Sequence, residues 1–158
     1  MIYYAGIGSR KTPWNVCSGM QLIAIKLAER GLTLRSGRAL RADQSFEFGC
    51  DTANGKKEIF VAAQSRVEWV KHASQYHPAW SECSDHAKML HGRNSAIMLG
   101  ARLDTPVKFV VCWTPKGEAV GGTGQALRIA AALNIPVFNL ASDNDHYSTM
   151  QKIMRLTQ

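Results

Sequence analysis

The chain has 158 residues, 46% of them hydrophobic and 20% charged, with a formal net charge of +7. That length and balance fit one globular domain spanning residues 1–158 with a sizeable core, and exclude a low-complexity chain. The positive charge favours anionic partners, nucleotides or nucleic acid among them.

Residues 2–5 read as a short strand running into Gly6-Ile7-Gly8-Ser9-Arg10. A glycine turn after a first strand is where a Rossmann-like sheet meets its ligand, although the third glycine of the full dinucleotide fingerprint is missing here. Pro13 suits a helix start, Val16, Met20, Ile23, Ala24 and Leu27 mark an apolar helical face, and Gly31 ends it. A second strand over residues 32–35 enters Ser36-Gly37-Arg38-Ala39, and a helix over 42–50 follows. Asp43 is placed to cap or open that helix, and Phe46 and Cys50 share its inward face. Residues 58–61 give a third strand. Residues 63–80 form loop and short helix, where Trp69, Tyr76, His77 and Trp80 either wall a pocket or cover the core.

A long helix is expected over 81–99, with Ala87, Leu90, Asn94, Ile97 and Met98 near one face, and a strand over 107–113. Gly121-Gly122-Thr123-Gly124-Gln125 then opens a helix carrying Ala126, Leu127, Ile129, Ala130 and Leu133. Asn134 and Pro136 stop it, and Val137-Phe138 begins a buried strand. Strand, glycine turn, helix and strand make a βαβ unit of a parallel sheet. A loop and a short helix finish the chain. The fold expected is α/β, three-layer and Rossmann-like, with a mostly parallel sheet of about five strands.

Three glycine-bearing turns thus follow three strands, at Gly6–Arg10, Ser36–Ala39 and Gly121–Gln125, and converge on one anion-binding crevice. A helix opening at glycines offers free N–H groups and a positive dipole end to phosphate. Gln125, in its first turn, can reach a base or ribose, or only cap. Guanidinium groups match phosphate oxygens, and Arg10, Arg35, Arg38, Arg41 and Arg93 are candidates; Arg38 and Arg93 come first because they lie in motif stretches, while Arg35 and Arg41 read as solvated surface charges. Cys83 and His86 have a spacing that zinc accepts, with His77 and His91 nearby, but no second compact ligand pair accompanies them. Helix-surface histidines and a buried cysteine are expected instead, with no metal and no cofactor. Cys17, Cys50, Cys83 and Cys112 lack paired spacing and read as reduced thiols. No membrane span or signal pattern is evident, so a cytoplasmic protein is expected.

Ser36-Gly37-Arg38-Ala39, Ala42-Asp43 and Phe46-Glu47-Phe48-Gly49 resemble the first motif of the SLOG superfamily, which includes DprA-like and LOG-like Rossmann domains. Gly121-Gly122-Thr123-Gly124 is similar to the second glycine motif of that group, and with Trp113-Thr114 before it the string looks most like small DprA-like proteins of bacteriophages. The resemblance implies binding of nucleotides, nucleotide-derived ligands or single-stranded DNA, and a homo-oligomer. It implies that Arg93, with Asn94, stands in for the arginine that LOG-like enzymes supply from the preceding helix. LOG-like hydrolases carry glutamates after the glycine motif where this chain has Leu127 and Arg128. Glu47 is the carboxylate inside a motif, and related N-glycosidases use a glutamate on an equivalent helix as nucleophile. Glu47 therefore reads as a catalytic nucleophile, as a ribose ligand or as a cap on backbone donors. Three functions follow: nucleotide binding with N-glycosidic hydrolysis, a DNA-binding mediator without catalysis, and a module sequestering a signalling nucleotide.

Overall fold

A computed structural model describes residues 1–142 and 145–158. The strands are β1 (Tyr3–Gly6), β2 (Thr33–Ser36), β3 (Lys57–Ile59), β4 (Val110–Cys112) and β5 (Val137–Asn139). The α-helices are α1 (Trp14–Glu29), α2 (Ala42–Thr52), α3 (Val67–Ser74), α4 (Asp85–Leu99), α5 (Gly121–Ala132) and α6 (His146–Leu156). All strand pairs are parallel, in the order β3-β2-β1-β4-β5. The expected three-layer, Rossmann-like α/β architecture is what the chain adopts.

The layers follow from strand alternation. On β1, Tyr4 points to one core and Ala5 to the other; on β4, Val111 and Val110 divide in the same way. The first core joins α1, α2 and α6 through Met20, Ile23, Leu27, Phe46 and Ile153. The second joins α3, α4 and α5 through Trp69, Ile97, Met98 and Ile129. Every residue of the predicted α1 face is buried.

The structure differs from expectation at several elements, and the third strand, expected over 58–61, runs Lys57–Ile59. Trp80–Glu82 forms a 3₁₀ turn, and α4 starts only at Asp85, because the Ser84 Oγ accepts a hydrogen bond from Ala87 N at 3.1 Å and caps it there. The apolar run over 107–113 is regular strand only at Val110–Cys112. Its flanks still bond to the first strand and its turn, through Lys108 N to Tyr3 O and Ser9 N to Trp113 O. β5 is an edge strand rather than a buried one, and Val137 is exposed. The four cysteines are free thiols. Among the described residues no helix is long and apolar enough to cross a membrane.

Candidate functional site

β1 leads into α1 on one face of the sheet, and β4 leads toward α5 on the other. Their carboxyl ends therefore part, which is the switch point where parallel sheets open a crevice. A cavity of about 400 Å³ lies there. Its walls are the β1 turn from Ile7 to Lys11, Ala39 and Asp43 at the start of α2, Leu90, Arg93 and Asn94 on α4, and Val120 to Thr123 at the start of α5.

Asp43 ties two of the glycine turns together. Its Oδ1 accepts from Gly8 N at 3.2 Å and its Oδ2 from Gly37 N at 3.0 Å. Gly8 lies so close to α2 that a Cβ there would meet the Ala42 Cβ at 2.6 Å, so the turn needs glycine. Burial raises the Asp43 pKa to about 6, against Arg93 and the backbone amides of Gly37, Ala39 and Gly8. The turn itself is held in an uncommon shape: Arg38 and Arg41 have φ of 60° and 70°. Arg41 donates to Thr12 O at 3.1 Å and lies over the Trp14 ring, which locks this turn to the β1 turn.

Arg93 and Asn94 link the second of these turns to the third. The Arg93 Nη1 donates to Gly37 O at 2.7 Å and its Nε to Asn94 Oδ1 at 3.0 Å. Asn94 Nδ2 in turn donates to Gly122 O at 2.9 Å. These bonds take two of the five guanidinium N–H donors. Burial pushes the Arg93 pKa down, with Asp43 opposing and Arg10 adding to the drop. α5 begins at Gly121, after Val120 at the N-cap, with no side-chain cap and no acid in its first turn. Its leading amides and positive dipole end thus have no side-chain partner. A Cβ on Gly122 would meet nothing within 4 Å. The glycines form the first turn of α5 itself rather than a loop ahead of it.

The structure thus brings Gly8, Ser9, Arg10, Asp43, Arg93, Asn94, Gly121, Gly122 and Thr123 together. The other candidates serve the frame or lie elsewhere. Gly6 is buried against Phe46, and the Ser36 Oγ donates to Gly6 O at 2.6 Å. Gly37 is reached by Arg93, and Gly124 packs on the Ala119 backbone. Trp113 borders a separate hollow beside Pro13 and Val16. Thr114 is buried and accepts from Asn139 Nδ2 at 2.7 Å. Gln125 turns away from the crevice and donates to Ala73 O at 2.9 Å. Glu47 is paired with Arg38, at 3.1 Å for both Nε and Nη2, and with Lys57 at 2.8 Å. The Arg38 bond chiefly, then Lys57, holds its pKa below the usual value against burial. Neither Glu47 nor the exposed Arg38 is among the crevice walls.

Sequence reading passed over Lys11 and Leu90. Lys11 extends the Ser9-Arg10 basic turn, and Leu90 stands one helical turn before Arg93, so both could be found by spacing. Arg35 and Arg41 are not solvated surface charges. Arg35 is buried, pairs with Glu58 at 2.7 Å and also binds Thr105 O, while Arg41 is half-buried. Of the aromatic group, Trp69 is core, edge-on to Phe60, with its Nε1 donating to Ala101 O at 2.8 Å. His86 is exposed on the helix surface as expected, but Cys83 is half-buried rather than buried, and His77, Cys83 and His91 converge.

No family model, curated protein or solved structure matches this chain.

Proposed function

We propose that the crevice between the ends of β1 and β4 binds the phosphate of a nucleotide or nucleotide-derived ligand. The observation that carries this reading is the uncapped start of α5, which lines one crevice together with Arg93, Arg10 and Lys11. A volume of about 400 Å³ suits a ligand of nucleotide size. The SLOG resemblance of the two turn motifs supports the same reading.

The role is binding rather than hydrolysis. An N-glycosidase needs a carboxylate beside the sugar. Both oxygens of Asp43 accept backbone amides, and Glu47 is engaged with Arg38 and Lys57 away from the walls. A DNA-binding role would draw on the net charge of +7.

Calorimetric titration with nucleosides, their monophosphates and diphosphates tests the reading. Charge-assisted bonds of about 1.5–3 kcal/mol each make the monophosphate at least about tenfold tighter than the nucleoside. Chromatography of the mixtures should return the nucleotide intact. Equal affinity for nucleoside and nucleotide would overturn the phosphate reading, and release of free base would restore the hydrolase. A single-stranded oligonucleotide that binds better than any nucleotide, with affinity falling steeply with salt, would favour the DNA role.

A further inference from the structure

The connector between α3 and α4 folds back over α4 and carries His77 and Cys83 to His91. One donor atom from each residue lies within 4.8 Å of the others. The Cys83 Sγ is already 3.7 Å from His77 Nε2 and 3.8 Å from its Nδ1. Donors around a tetrahedral zinc ion sit about 3.4–3.6 Å apart, given bonds of about 2.0–2.3 Å. A small inward movement of the connector therefore closes the site.

A second observation is independent of that spacing. His91 is 8% exposed, and its Nδ1 is buried with no hydrogen-bond partner. A buried ring nitrogen without a partner is costly and calls for a ligand. The His91 ring centroid lies 4.7 Å from that of His77, and Trp80 stands against both rings, at 6.1 and 6.2 Å. The cluster thus has an aromatic wall on one side. Two imidazoles and a thiolate are the donor set of zinc and of other thiophilic divalent ions, not of magnesium or calcium.

We propose that His77, Cys83 and His91 bind one zinc ion, with a fourth position left to water, and that the ion pins the α3–α4 connector onto α4. Binding expels the thiol proton of Cys83 to solvent. His77 Nδ1 now accepts from Ala79 N at 3.0 Å, and the ring gives up that bond to bind the metal. The site is separate from the phosphate crevice, and its existence does not depend on what the crevice binds.

Cobalt(II) is the probe, titrated into the full-length, chelator-treated chain. The expected result is one equivalent bound, with the intense visible bands of four-coordinate cobalt and a thiolate-to-cobalt charge-transfer band. Zinc should then bleach both. Cys83→Ser, at a half-buried position, should abolish the charge-transfer band, and His77→Ala should weaken binding at least about a hundredfold. His86→Ala, at an exposed position outside the cluster, should change neither. No stoichiometric cobalt binding would overturn the proposal. So would a charge-transfer band that survives Cys83→Ser, since the thiolate would then come from elsewhere.

Discussion

Asp43 is a carboxylate carried into the interior, and its two oxygens hold two glycine turns in place. Burial works against its charge, and its pKa stands near 6 instead of 3.8. A raised acid pKa means that the group favours the fold most when protonated. Its contribution is full below about pH 4 and is lost as pH rises through about 6, a loss of about 3 kcal/mol over some two pH units. Asp43→Asn cannot ionise, so its stability should lack that decline. Urea denaturation of both proteins from pH 4 to 7 should show the variant gaining on the wild type by about 3 kcal/mol. Parallel curves would mean that Asp43 does not titrate in this window. Glu47, four residues on, shares the helix but not the environment: it is paired with Arg38 and Lys57 and is held ionised. One motif thus supplies a buried clamp and a surface ion pair.

At the scale of elements, α4 is the strut of the site. It reaches the second turn through Arg93 and the first turn of α5 through Asn94. Gly37 is the narrow point of that arrangement, because a Cβ there would overlap the Arg93 guanidinium. Gly37→Ala should displace Arg93, costing about 1–3 kcal/mol in stability and weakening nucleotide monophosphate binding at least about tenfold. Urea denaturation and calorimetry read the two effects, and unchanged affinity would remove Arg93 from the phosphate site. The elements themselves were largely legible. The apolar spacing of Val16, Met20, Ile23, Ala24 and Leu27 marked α1, and the sequence around Asn134 and Pro136 marked the end of α5. What periodicity cannot show is the partner of a side chain. Arg35 looks like a surface charge until Glu58 and Thr105 arrive from distant positions to bind it. Gln125 sits in a glycine motif yet faces Ala73, and the approach of His77 to His91 depends on how an irregular connector folds. α4 starts at Asp85 and not at 81 because the Ser84 side-chain cap decides it, which hydrophobic spacing does not show.

At the scale of the whole molecule, strand order sets where a ligand can go. The order β3-β2-β1-β4-β5 puts the reversal between β1 and β4, and three turns that are far apart in sequence meet around it. The net charge of +7 favours anions in general, while in the proposed reading the local donors at α5 and on α4 select where one binds. The convergence of these turns on a phosphate is the central claim, and Gly122 probes it with least disturbance to the fold. A Cβ there meets nothing within 4 Å outside its own stretch of helix and projects from a residue that lines the crevice. The deciding measurement is calorimetric titration of a nucleoside monophosphate that the wild type binds into Gly122→Val, with circular dichroism and urea denaturation showing that the variant is folded. The expected result is a native fold with affinity reduced at least about tenfold, because the valine occupies the path to the α5 amides. A folded Gly122→Val protein that binds as tightly as the wild type would contradict it.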